Sequence, residues 1–236
     1  VSYHRHASIK LQRSSVRNLQ ITGCDIEYNF DAEETDCADV WIDAREAKVR
    51  EVTISSCTIQ AKYSPSGANV RIEAKPTELS TDAGLWTLSG NIIQSQTHNL
   101  LLRNCHGIAV TGNSFCSAGE RSLIIDTCRN IAVGSCTIDY NPDYKGSRFD
   151  GVLVKDSAGI NLNGLIVEAS QAGTEKSDGA IGIFNSRDIT VANCQMHDPK
   201  HRALHLDNVH HAVISANLVR DHGRVPTMQE AVLVTG

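Results

Sequence analysis

A six-point template recurs along this chain, and in five copies its internal spacing does not change. It reads Leu204, Leu206, Ala212, Ile214, Asn217, Val219 in its clearest copy. Earlier copies are Ile181, Ile183, Ile189, Val191, Cys194, Met196, then Val152, Val154, Ile160, Leu162, Leu165, Val167. Before these come Leu123, Ile125, Ile131, Val133, Cys136, Ile138 and Leu100, Leu102, Ile108, Val110, Asn113, Phe115. Three further copies have a looser first corner: Val70, Ile72, Leu88, Asn91, Ile93; Val40, Ile42, Ile54, Cys57, Ile59; and Ile9, Leu11, Ile21, Cys24, Ile26. Val232 and Val234 open a ninth. A period of roughly 22 to 33 residues describes a solenoid in which no unit buries its own apolar face.

Within each copy the apolar residues alternate over three short runs, the two-residue period of a strand, and no run has helical spacing. Three strands and three corners close a triangle, and coils stacked about 4.8 Å apart make a prism about 40 Å long. The expected fold is all-β, a right-handed parallel β-helix of eight to nine coils of three short strands. Residues 1–236 read as a single β-helix domain. Because Val1 is not an initiator methionine and Gly236 falls just inside a ninth coil, the expectation is a segment of a longer protein.

Composition narrows the partners. The net charge of −5 comes without a basic run, which argues against a nucleic-acid footprint. No apolar stretch approaches a membrane span and no signal peptide is visible, so no membrane partner is expected. Six of the eight cysteines follow the coil register, while Cys37 and Cys116 alone are expected in loops. Cys24, Cys57, Cys136 and Cys194 share a corner column with Asn91, Asn113 and Asn217, while Cys105 and Cys128 share another with Ser157 and Ser186. Small buried residues stacked at corners pack as free thiols, and no C-x-x-C pair is present, so neither disulfides nor a metal centre is expected. The acidic loop from Tyr28 to Asp39 has five carboxylates but lacks the regular spacing of a Ca²⁺ loop; it reads as solvated, with Ca²⁺ as the one cofactor alternative.

The corner between the third strand of one coil and the first strand of the next is long after Ile26, Ile59, Ile138, Val167 and Val219. These loops stack along one edge, where solenoids carry their binding insertions. Counting back from each following strand brings together Arg148 and Asp150, Lys176 and Asp178, His201 and Arg202, and Glu230, with Tyr144 and Phe149 nearby. His205 is the outward residue between Leu204 and Leu206. Cations that take carboxylates and aromatic faces that take sugar rings suit a polyhydroxylated acidic chain. The catalytic candidates are Asp150, Lys176, Asp178, His201 and Arg202. The substrate-binding candidates are Tyr144, Arg148, Phe149, His205 and Glu230.

The segments Asp188-Ile-Thr-Val-Ala-Asn-Cys194-Gln-Met196 and Asn130-Ile-Ala-Val-Gly-Ser-Cys136-Thr-Ile138 resemble the repeats of the pectin-lyase-like superfamily over nearly the whole chain. That likeness implies the β-helix and leaves the activity open, because the architecture hosts lyases, hydrolases, epimerases and scaffolds alike. Ser177-Asp178-Gly179 resembles the N-T-D-G of polygalacturonase-type hydrolases, and His222-Gly223 stands roughly where they carry G-H-G. Lys200-His201-Arg202-Ala203 occupies the place of their paired aspartates, so their mechanism does not carry over.

Two functional classes remain. One is a carbohydrate-active protein, extracellular or periplasmic, acting on glycosidic bonds of a polysaccharide by hydrolysis or β-elimination. In a hydrolase, carboxylates one rung apart match the retaining geometry and two rungs apart the inverting one. A lyase would use cations such as Lys176, His201 and Arg202 beside His205. The other class is a noncatalytic binding or assembly module of tail-fibre or adhesin type. Outward first-strand positions hold Trp41, Leu101, Ile124, Leu153 and Leu233, and such an apolar column predicts a cover. A homo-oligomer or a flanking domain is the expected one.

Overall fold

The computed structural model describes residues 1–29, 33–77, 81–143 and 149–236. They form twenty-five strands and no helix. Eight complete coils are followed by Glu230–Thr235, the first strand of a ninth. All strand pairs between coils are parallel, and their registers reproduce the template. Val40, Val70, Leu100, Leu123, Val152, Ile181, Leu204 and Val232 lie in one inward column. Third strands, from Asp25–Asn29 to Leu218–Arg220, make a sheet of eight.

The first and second strands are joined in one sheet of seventeen rather than two separate faces. The join is made late in the chain, where Ile181–Ala192 and Arg202–Ser215 each run through the corner without a break. Coils one and two do the opposite. Their second strand is split in two, as Val16–Arg17 and Gln20–Thr22 show, which is the loose first corner of the template. The Ile, Val and Leu columns form one continuous core, which at about 25 cal/mol per Å² of apolar surface buried is the main stabilising term.

The corners are held by side chains that reach along the stack. Cys57 N–H donates to Asn91 Oδ1 at 3.0 Å and Asn91 N–H to Asn113 Oδ1 at 3.0 Å. At the other corner Cys128 N–H donates to Ser157 Oγ at 3.0 Å and Ser157 N–H to Ser186 Oγ at 3.1 Å. A backbone amide at a tight corner has no ladder partner of its own, and the small polar residue of the next coil supplies one. All eight cysteines are free thiols. Cys116 ends the strand Ser114–Cys116 rather than lying in a loop, and Cys37 is buried with its Sγ 2.9 Å from Ser64 Oγ.

A polar ladder runs inside the loop edge. Asn99 Nδ2 donates to Asn69 Oδ1, Asn69 Nδ2 to Asp39 Oδ2, and Asn29 Nδ2 to Asp39 Oδ1. Asp39 is fully buried, and burial raises its pKa to about 7 against the opposing pull of the two amides. Two other carboxylates of the acidic loop are drawn onto protein cations, Glu34 to Arg5 and Asp36 to Arg71.

Leu101 and Ile124 are only 5% and 8% exposed, packed with Ala68 and flanked by a partly buried Leu153. Their cover, expected from a neighbouring subunit or a flanking domain, is supplied at these two positions by the chain itself. Leu233, at the last coil, stays partly exposed.

Candidate functional site

The outward column of the first strands passes through Leu153, Gly182 and His205 in register. Asp178, in the loop before Ile181, adopts a left-handed backbone conformation with φ 72°. Its carboxylate folds over the sheet at Gly182. A β-carbon on Gly182 would come within 2.0 Å of Asp178 Oδ1 and 2.9 Å of the Phe184 ring, so the glycine is required by close approach. Asp178 Oδ2 accepts from Arg121 Nη2, and Arg121 Nη1 donates to Gly179 O at 3.2 Å. Asp178 Oδ1 also accepts from Gly179 N–H at 2.8 Å. Burial draws the Arg121 pKa down, while the Asp178 charge opposes that shift.

His205 supports this turn from beneath. Asp178 N–H donates to His205 Nδ1 at 2.8 Å, which places the imidazole proton on Nε2. Nε2–H then donates to Thr235 Oγ1 at 3.1 Å, and Thr235 Oγ1–H donates to Asp207 Oδ1 at 2.8 Å. Phe184 meets the imidazole edge to face, with centroids 5.3 Å apart. Burial first, then the Arg202 charge, lowers the His205 pKa and keeps the ring a hydrogen-bond acceptor at Nδ1.

An open groove of about 430 Å³ lies beside the pair, lined by Glu120, Arg121, Phe149, Ala172, Gly173, Thr174, Ser177 and Asp178. Of the ten expected site residues, Phe149 and Asp178 line it. Asp150 does not. It is 1% exposed and accepts from Ala118 N–H at 2.7 Å and Ser122 Oγ at 2.9 Å, which ties the corner before the strand. One residue of offset separates the two aspartates in register, and that offset sends Asp150 into the corner and Asp178 over the sheet.

Arg202 is also a structural group, 2% exposed. It donates to Thr174 O, Asp178 O, Glu175 O, Gln229 Oε1 and Glu230 Oε2, so it binds the loop that carries Asp178 while Glu230 holds its guanidinium from the next coil. Its guanidinium is spent on the protein and is not presented to a ligand. His205 is 3% exposed and acts through Asp178 rather than on the groove. Lys176 is exposed beside the groove but does not line it. His201 is partly buried outside the groove, its pKa lowered by burial and then by Lys200 and Arg202. Tyr144 and Arg148 lie outside the described residues.

Glu120 and Arg121 were not among the expected residues. The signal was available. Counting back from Leu123 puts Arg121 in the column of Asp150 and Arg202, one coil before the loops where the count began.

Among the described residues no group of three or more His, Cys, Asp or Glu side chains is placed to hold a metal ion, and no helix is long and apolar enough to cross a membrane.

The family model for the right-handed beta helix region matches residues 78–235. A search of curated proteins gives no match. Among solved structures, the A-module of the mannuronan C-5 epimerase AlgE4 from Azotobacter vinelandii is similar with a TM-score of 0.51 at 7% identity. The match covers 88% of this chain and 64% of that one, so the chain spans less than two thirds of the module. The Streptococcus pneumoniae surface protein and adhesin PfbA gives a TM-score of 0.34 at 7% identity, over 100% of this chain and 83% of that one. A GH87 alpha-1,3-glucanase catalytic domain gives 0.24 at 9% identity, over 97% and 61%. At such identities the likeness carries the fold alone. The chain belongs to the right-handed β-helix family and has the fold of the pectin-lyase-like superfamily.

Proposed function

We propose that the chain binds a polysaccharide in the groove along its loop edge and acts on the glycosidic bonds, with Asp178 and Glu120 as the two working carboxylates. The observation that carries this reading is their placement on one groove from loops two coils apart, with Arg121 paired to Asp178 and Phe149 beside them. Two rungs separate their backbones by about 9.6 Å, close to the roughly 6.5 to 9.5 Å between the carboxyl groups of inverting glycosidases, a spacing that leaves room for a water. Asp178, oriented as an acceptor by Arg121 and the Gly179 amide, takes the place of the base that draws a proton from that water. Glu120, the more exposed of the two, faces the leaving oxygen as the acid.

The second reading, a noncatalytic polysaccharide-binding module, is favoured by one observation. Asp150, Arg202 and His205 are all buried and committed to protein partners. One experiment decides between them. Wild type, Asp178→Asn and Glu120→Gln are incubated with soluble uronate polymers, mannuronan first, and with fructans. Reducing ends and the absorbance of unsaturated products are followed separately. The catalytic reading expects cleavage by wild type and losses of at least about 100-fold in each variant, with polymer binding retained. Binding without cleavage of any polymer, or variants within about threefold of wild type, replaces it with the binding module.

A further inference from the structure

We infer that Tyr63 is a fixed stacking platform for a sugar ring, extending the groove toward the N-terminal coils; this rests on the reading of the groove as a polysaccharide site. Tyr63 is 54% exposed. An exposed tyrosine on a loop is ordinary, but the backbone of this one is clamped on both sides. Ser64 N–H donates to Gln96 Oε1 at 2.8 Å, Gln96 Nε2 donates back to Lys62 O at 3.1 Å, and Thr97 Oγ1 donates to Ser64 O at 2.5 Å. Ser64, Gln96 and Thr97 are each 0% exposed. Two buried polar side chains, those of Gln96 and Thr97, therefore hold the residues flanking one half-exposed ring.

The ring itself is laid on a neighbouring coil. A β-carbon on Gly119 would meet Tyr63 Cε2 at 2.5 Å, so the phenol rests against the bare α-carbon of that glycine. Gly119 immediately precedes Glu120 and Arg121, which line the groove. On the other side of the same turn Phe149, 40% exposed, is attached by its N–H to Ala118 O at 3.4 Å. Tyr63, Phe149 and Asp178 thus follow one another along the loop edge, one aromatic on each side of the turn that carries Glu120.

A protein partner would need a contiguous apolar patch, whereas among the described residues these rings lie beside polar Thr97, Glu120 and Arg121. A sugar ring has an apolar C–H face and a hydroxylated rim, which matches an isolated aromatic face in a polar setting. Pre-fixing the ring removes the ordering cost that a mobile tyrosine would charge against binding.

The test is affinity electrophoresis through gels containing soluble mannuronan, polygalacturonate or a fructan, run beside the cleavage assay. Tyr63→Ala should lower the affinity for the retarding polymer about tenfold, the equivalent of losing about 1.4 kcal/mol of stacking. Tyr63→Phe should bind as wild type. Gly119→Ala, which keeps the tyrosine but lifts it from its seat, should resemble Tyr63→Ala, with melting temperatures compared throughout. No retardation of wild type by any polymer, or equal retardation of wild type and Tyr63→Ala, overturns the inference. The two readings fail separately. Retardation lost in Tyr63→Ala without cleavage of any polymer leaves the platform and removes the catalysis, while cleavage abolished by Asp178→Asn with Tyr63→Ala retarded as wild type does the reverse.

Discussion

Asp178 Oδ1 fills the space above Gly182 that a β-carbon would take, 2.0 Å from where that carbon would stand. The carboxylate therefore lies flat on the outer face of the sheet and meets Arg121, a residue 57 positions earlier in the chain. Glycine at this point of the outward column is what lets a loop residue act at the sheet surface.

Gly182→Ala should displace the Asp178 carboxylate and part it from Arg121. Turnover on the polymer should fall as far as in Asp178→Asn, on the order of 100-fold, while the melting temperature stays near that of wild type. Turnover within about threefold of wild type would mean that the placement of Asp178 over the sheet is irrelevant to the reaction.

His205 can receive the Asp178 amide only while its Nδ1 is unprotonated. Its folded-state pKa is lowered by burial and then by Arg202, so the stability it contributes is complete above the ordinary value of 6.5 and is lost as pH falls through the depressed folded value. In NMR titration the imidazole midpoint should fall below 6.5, and the Asp178 amide shift should move with it. A midpoint at or above 6.5, or an amide that ignores the titration, would break this relay.

Asp39 works in the other direction. Its folded pKa of about 7 lies above the ordinary 3.8, so stability from this group is full below the ordinary value and is lost as pH rises through about 7. A gap of this size corresponds to about 4 kcal/mol at most. The melting temperature of Asp39→Asn relative to wild type should therefore rise from pH 5 to pH 8. A pH-independent difference would show that the amide ladder already compensates the buried charge.

Leu101 and Ile124 are packed within the single chain. Changing either to Ala should destabilise the fold by about 2 kcal/mol, seen as a lower denaturant midpoint. Sedimentation of either variant should match wild type. A change of mass without a change of midpoint would return these residues to an interface.

The coil columns were legible because a solenoid repeats its solution: Val152 and Ile181 do the same job in the same register, so spacing alone finds them. The corner thiols and amides were legible for the same reason. The site was only half legible. Asp178 could be placed by counting, but its direction depends on Gly182 having no side chain and on the turn of its own backbone, neither of which has a period. Arg202 shows the opposite failure. Its charge and register resembled those of a ligand-binding group, and only the five acceptors around it show that its hydrogen bonds are used within the protein.

The corner bonds have a consequence for how such chains diverge. The corner amides of Cys57, Asn91, Cys128, Ser157 and Cys194 are each satisfied by a small polar side chain of the next coil, so along these runs neighbouring coils offer much the same partner. Duplicating or deleting one whole coil within such a run therefore leaves these amides an equivalent acceptor, whereas a partial insertion breaks the register that supplies it. Glu120 and Asp178 could then move apart or together only in strides of about 4.8 Å. A lineage built this way samples the span of its groove as a vernier does, notch by notch, and intermediate widths are never visited.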